Sequence, residues 1–396
     1  AGSCVMLEFI PIARRTMHPS NIVLLEFHPE RDDLSPDKEL RNGLSVALRM
    51  GDTLWLANDE SLSIERLTLA AEDSRGKTSF ARAHRQFALH DFLQLPLPPH
   101  EEGSKRINEA DIEGLASDGD YLWLTGSHSL RRKRPDEGDG VRRTHKRLAR
   151  VSADANRYLL ARIPLVRQDG GFTLQKEAAD KGRRRTAAQL RGDEHGNELT
   201  GLLRQDEHFG PFLAIPGKDN GFDIEGIALA GKHVLLGLRG PVLRGWAAIV
   251  EVAPVEDGEE GWLRLAPLDD EGALYRKHFL DLDGLGIRDL CVQGKDLLIL
   301  AGPTMDLDGP VTLLRWPGGA RPDKASVVGR DMLEHVLALP FGHGVDHPEG
   351  ISLFSSQDGR EEGLLVVHDA ASPSRQIGDS ILVADVYPLP PRRKKK

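Results

Sequence analysis

One stretch of this chain recurs, and the recurrence restricts the possible folds more than any other feature. Asp111-Ile-Glu-Gly-Leu-Ala-Ser-Asp-Gly-Asp-Tyr-Leu-Trp-Leu-Thr-Gly returns as Asp223-Ile-Glu-Gly-Ile-Ala-Leu-Ala-Gly-Lys-His-Val-Leu-Leu-Gly-Leu. It returns more faintly as Gly286-Ile-Arg-Asp-Leu-Cys-Val-Gln-Gly-Lys-Asp-Leu-Leu-Ile-Leu-Ala. Two further copies flank these. One opens at Gly43 and aligns without a gap; the other is His347-Pro-Glu-Gly-Ile-Ser-Leu-Phe, followed after a longer turn by Gly363-Leu-Leu-Val-Val-His-Asp. Each copy reads as two short strands joined by a tight turn. Gly51, Gly119, Gly231 and Gly294 supply the positive φ that such a turn demands.

Apolar, strand-like runs follow each hairpin. They lie at 147–152 and 158–165 after the second copy, 247–252 and 262–265 after the third, and 311–316 and 325–328 after the fourth. Four strands per unit at a period of tens of residues is the pattern of a β-propeller blade. The fold class is therefore all-β. The expectation is a single propeller domain over residues 1–391, with five four-stranded blades starting near 43, 111, 223, 286 and 347. The last copy is one strand short, and the unassigned run Asn21-Ile-Val-Leu-Leu-Glu-Phe is expected to complete it and close the ring. The second interval is nearly twice the others. A partly helical insertion at 165–220 accounts for it, with helical spacing at 186–191 and 198–209; a sixth, degenerate blade is the alternative.

Composition narrows the functional classes. Net charge is −9, which disfavours general nucleic-acid binding, although nine Lys and Arg against three acids stand between Arg131 and Arg150. That run reads as a solvated loop or an anion-attracting rim. The end at Lys394 is expected to be a basic, disordered tail over 392–396. No stretch reaches the roughly 18 apolar residues of a membrane span. The only cysteines, Cys4 and Cys291, exclude a disulfide framework and favour the cytoplasm. The chain begins at Ala and is consistent with trimming, so export is the alternative. The five tryptophans sit in or beside expected strands and read as packing between blades.

Propeller topology turns the repeats into a candidate site. The glycine turns lie on one face, so the starts of the first strands and the ends of the second strands share the other, around the channel mouth. This gathers Asp59, Asp111, Glu113, His128, Asp223, Glu225, Arg239, Arg244, Arg288, Asp289, His347, Glu349, His368 and Asp369. Carboxylates so crowded raise one another's pKa unless cations compensate. Glu113, Glu225 and Glu349 are candidate ligands for a hard cation such as Ca²⁺ and, with His128, candidates for acid–base chemistry. The other reading is structural: a recurring glutamate can accept from backbone N–H groups of the next blade. Gly237-Leu-Arg-Gly-Pro-Val-Leu-Arg-Gly-Trp concentrates glycines and arginines in one mouth loop, suited to a carboxylate or phosphate.

Lys218-Asp-Asn-Gly-Phe-Asp-Ile-Glu-Gly-Ile-Ala, Gly237-Leu-Arg-Gly-Pro-Val-Leu-Arg-Gly-Trp-Ala and Thr125-Gly-Ser-His-Ser resemble an uncharacterised bacterial family, domain of unknown function 3616. That family carries no established activity. The Asp-Ile-Glu-Gly element is also similar, over a few residues per blade, to esterase-like phytase propellers. This second likeness implies an acidic mouth and Ca²⁺-dependent phosphoester chemistry; Arg288 and Asp289 depart from its pattern. Two functions follow as expectations. One is binding of a small anionic or phosphorylated ligand, or a peptide, at the mouth. The other is divalent-cation-dependent hydrolysis, with a phosphoester as substrate.

Overall fold

Each expected inner hairpin forms. The computed structural model describes residues 17–35, 38–71, 78–99, 108–168, 170–180, 182–355 and 362–390; Cys4 and the basic tail lie outside them. The hairpins pair Leu44–Met50 with Thr53–Asn58, Ile112–Ser117 with Tyr121–Gly126, Asp223–Ala230 with His233–Gly240, Gly286–Gln293 with Asp296–Gly302, and His347–Ser355 with Glu362–Asp369. The turn glycines Gly51, Gly119, Gly231 and Gly294 all have positive φ, between 61° and 91°. A side chain there would strain the turn, which is two residues long at Gly51, Gly231 and Gly294.

Two outer strands complete each unit. In the first they are Ser63–Ala71 and Thr78–Ala88, and in the second Leu160–Gln168 and Ala188–Leu190. In the third they are Trp246–Val252 and Tyr275–Asp281, and in the fourth Val311–Trp316 and Glu334–Leu339. The fifth takes Ile381–Pro388 and then the N-terminal strand Asn21–Glu26, which pairs antiparallel from Asn21 opposite Val386 to Glu26 opposite Ile381. Asn21–Glu26 also pairs in parallel with Thr78–Ala88, so the fifth and first units share one continuous sheet.

Several outer strands differ from the sequence reading. Residues 188–190 are a strand where helical spacing was expected, because their apolar side chains complete the second sheet; only Glu198–Leu203 in that region is α-helical, capped reciprocally by Asn197 and Thr200. Trp262–Leu265 pairs with Ala188–Leu190 in the second sheet rather than ending the third. Ser326–Val328 adds in parallel to the third sheet rather than ending the fourth. Residues 147–152 supply no blade strand: a helix runs Val141–Leu148, followed by the short strand Val151–Ser152.

Side-chain alternation builds the interior. Along Asp296–Gly302, Leu297, Ile299 and Ala301 pack with Leu235, Ile249 and Ile287 of the third and fourth units. Leu298 and Leu300 turn the other way, onto Ile351, Leu364 and Val366 of the fifth. The same alternation gives a shared cluster between the first and second units, between the second and third, and between the fifth and first. Both faces of each sheet are thus covered by a neighbour. Each buried Leu, Ile or Val contributes roughly 1.5–3 kcal/mol. The inner strands stand side by side in chain order, and Leu44–Met50 also lies against His347–Ser355. The arrangement is propeller-like and mostly β. No helix among the described residues is long and apolar enough to cross a membrane.

Candidate functional site at the mouth

A bulge at one repeat position shapes the mouth. Register shifts fall between Leu44 and Val46, Ile112 and Gly114, Ile224 and Ile227, Ile287 and Asp289, and Pro348 and Gly350. The residues stepped over include Ser45, Glu113, Glu225, Arg288 and Glu349. A bulge frees one residue from the ladder and re-aims its side chain. The residue that follows meets the next inner strand. A Cβ on Gly114 would lie 2.9 Å from the backbone N of Ile227, and one on Gly350 2.8 Å from that of Ala47. In the fourth unit this position is Asp289, whose Oδ2 accepts from the Ile351 N–H at 2.8 Å. Asp289, expected to touch a ligand, is thus buried and bonds the next unit's backbone. The structural role foreseen for the recurring glutamates falls to this aspartate.

The expected glutamate set is divided by an arginine. Arg288 places Nε 3.1 Å from Glu225 Oε2 and donates through Nη2 to Glu349 Oε1. Glu225 is held on its other side by Arg239 Nη1 at 2.5 Å, and Asp223 lies 3.9 Å from the same nitrogen. Asp111, at φ +52°, pairs with Arg157 at 2.9 Å, and Arg157 also binds Glu109 at 2.8 Å. Glu113 has no ion pair among the described residues. Burial first, then Glu225, Asp111, Asp59 and Asp223, push its carboxyl well above the usual range. Burial and the Asp369 and Asp111 charges do the same to Asp59. Asp223 is pushed up to about 7 by burial and Glu225, against the pull of Arg239. Burial lowers Arg288 despite the opposing charge of Glu225. Arg239 is held above its ordinary value, because Glu225 and Asp223 outweigh its burial.

The remaining candidates disperse. His128 is buried at φ +56°, with Nδ1 2.9 Å from Gly126 O and Nε2 2.8 Å from Asn197 Nδ2. The amide donates to Nε2, so the proton sits on Nδ1; burial lowers the pKa to about 4. Both nitrogens being engaged, His128 anchors the Glu198–Leu203 helix cap instead of facing solvent. His368 is buried between strands of the fifth unit, its Nε2 3.2 Å from Arg375 Nη2, and burial and Arg375 lower its pKa to about 3. Arg244 is exposed in the turn between His233–Gly240 and Trp246–Val252 and does not line the mouth cavity. Burial pushes the thiol of the half-buried Cys291 up to about 12.

A cavity of about 330 Å³ opens on the mouth face between the third, fourth and fifth units. Arg239, Arg288, Glu349, His347 and Asp369 line it. So do Lys218, Arg134, Pro303 and residues 305–309, none of them among the named candidate site residues. Lys218 had a usable signal, since it stands just before a mouth-side strand start. Arg134 belongs to the basic run read as a solvated loop or an anion-attracting rim; it reaches the cavity from the second unit, its Nη1 3.9 Å from Asp306. Among the described residues no group of three or more His, Cys, Asp and Glu is placed to hold a metal ion. The expected trio does not fit a cation, because Arg288 already stands between two of its members.

A family model described as "Protein of unknown function (DUF3616)" matches residues 43–385. The chain belongs to that family. The matched span of this DUF3616 protein runs from the first inner hairpin into the last outer strand. No curated protein matches it. Among solved structures it is similar to glutaminyl cyclase from Myxococcus xanthus, at 9% identity over 94% of this chain and 99% of that one, TM-score 0.34. It is similar to a streptogramin B lyase at 10% identity over 93% and 100%, TM-score 0.33. It is also similar to the Nup133 β-propeller domain of Vanderwaltozyma polyspora at 10% over 93% and 84%, TM-score 0.30.

Proposed function

We propose that this protein is a closed five-bladed β-propeller that binds a small anionic ligand at its mouth. One observation carries the reading: the cavity of about 330 Å³ brings Arg288, Arg239, Lys218 and Arg134 to a single concave place. Arg239 and two donors of Arg288 are already committed to glutamates and carbonyls. Nη1 of Arg288 has no hydrogen bond among the described residues, and Lys218 no ion pair. Burial disfavours the charge on Arg288, so an anion arriving beside it would restore what the glutamates do not supply. Pockets of about 300–1,000 Å³ are the usual size for small molecules.

The test is thermal unfolding with inorganic phosphate at low ionic strength. The melting temperature is expected to rise with phosphate in the wild type, by mass action on the folded state. Lys218→Ala, an exposed change, should reduce that rise without altering the unliganded melt. An equal rise in both proteins, or none in either, would remove the basis of the reading.

A further inference from the structure

We infer that the ligand is an amphipathic anion: one acidic group facing Arg288 and Lys218, and an aromatic or branched alkyl body lying on Met305, Leu307 and Phe341. This rests on the anion-binding reading above and names the ligand class. These three apolar side chains are 45%, 62% and 38% exposed, and all three line the mouth cavity. Single exposed apolar residues are ordinary; three meeting in one concavity mark a binding surface.

The wall is held in place. Arg239 Nε donates to Thr304 O at 2.8 Å, while Glu225 holds the same guanidinium from behind at 2.5 Å. Further along the loop, Asp308 Oδ1 accepts from the Gly344 N–H at 3.0 Å and lies 3.1 Å from His347 Nε2. Met305 and Leu307 therefore sit between two tethered points, which lowers the entropic cost of presenting them to a ligand.

Charge balance selects against polyanions. Four cations, Arg134, Lys218, Arg239 and Arg288, share the lining with four acids, Asp306, Asp308, Glu349 and Asp369. A ligand with several phosphates would meet about as much repulsion as attraction. A singly anionic group on an apolar body gains from the local cations and from the wall together. At about 330 Å³ the space suits a single-ring compound.

The experiment is calorimetric titration of the full chain with two probe pairs: acetate against benzoate, and inorganic phosphate against phenyl phosphate. In each pair the ring-bearing member is expected to bind tighter by about tenfold or more, the gain of burying one ring face. Leu307→Ser with Phe341→Ser, both exposed positions, should abolish that gain and leave the affinity for acetate and phosphate unchanged. Lys218→Ala should weaken both members of a pair alike. If ring-bearing and ring-free members bind equally, the inferred apolar subsite falls while anion binding stands. If none of the four binds, both readings fall. If the double variant keeps the full gain, the ring lies elsewhere and the inference is wrong. Binding of uncharged benzyl alcohol as tightly as benzoate would overturn the anionic half.

Discussion

Arg288 Nε lies 3.1 Å from Glu225 Oε2, so a cation from the fourth inner strand reaches an acid of the third. The same guanidinium donates to Glu349 of the fifth, and three consecutive units are clamped by one side chain. All three groups are largely buried. Removing the cation would leave two carboxylates facing each other with Arg239 alone to compensate. Arg288→Met is expected to lower stability by about 3–5 kcal/mol, measured by urea unfolding. A loss no larger than that of a surface change would mean the clamp is solvated and weak.

Glu113 makes the opposite contribution. Its folded-state pKa is raised by burial and by Glu225, Asp111, Asp59 and Asp223. Above the ordinary glutamate pKa the unfolded chain has lost this proton while the folded one retains it. Stability therefore falls as pH rises from the usual carboxylate range toward the raised value. Glu113→Gln should be more stable than the wild type at pH 8, with the difference vanishing near pH 4. Melts across that range check it; a constant difference at every pH would show that the charge is not the cause.

For His128 the window is acidic. Burial holds its folded pKa near 4, so the unfolded chain binds the proton first as pH falls. The stability it confers is complete above about 6.5 and is lost between there and about 4. The ring carbon resonances of His128 should stay constant from pH 8 to about pH 5.5. A midpoint near 6.5 would mean that the ring is open to water.

Gly114→Ala tests the spacing between inner strands. The added methyl would stand 2.7 Å from Ile227 Cγ2 and 2.9 Å from the Ile227 backbone N, and the backbone cannot rotate away. A loss of about 1–3 kcal/mol in urea unfolding is expected. Asp289→Ala, at the corresponding place in the fourth unit, should cost about as much by leaving the Ile351 N–H unpaired.

Calcium is a direct check on the hydrolytic alternative. With Arg288 between Glu225 and Glu349, melting temperatures in Ca²⁺ and in EDTA should agree. A Ca²⁺-dependent rise that disappears in Glu113→Gln would bring that alternative back.

The inner hairpins were readable from the chain because they rest on local rules. A glycine at the turn and alternating apolar residues on either side specify a strand pair without help from elsewhere. The strand Asn21–Glu26 was also placed correctly, by counting what the last unit lacked. The runs at 158–165, 247–252 and 311–316 also supplied third strands, but the outermost strands were not so readable. Ala188–Leu190 and Tyr275–Asp281 lie far along the chain from the strands they join, and short apolar runs look alike whichever sheet receives them.

Sequence alone determined the repeat, the hairpins, the glycines between them and the set of charged residues at strand ends. Tertiary structure decided how those charges pair. Arg288 meets Glu225 and Glu349, His128 turns inward to a helix cap, and Lys218 and Arg134 arrive at the mouth from outside the repeats. The reason is physical: a strand's pattern reports which way a side chain points, but an ion pair depends on atoms of different units coming within about 4 Å, and only the packing of whole sheets sets that distance.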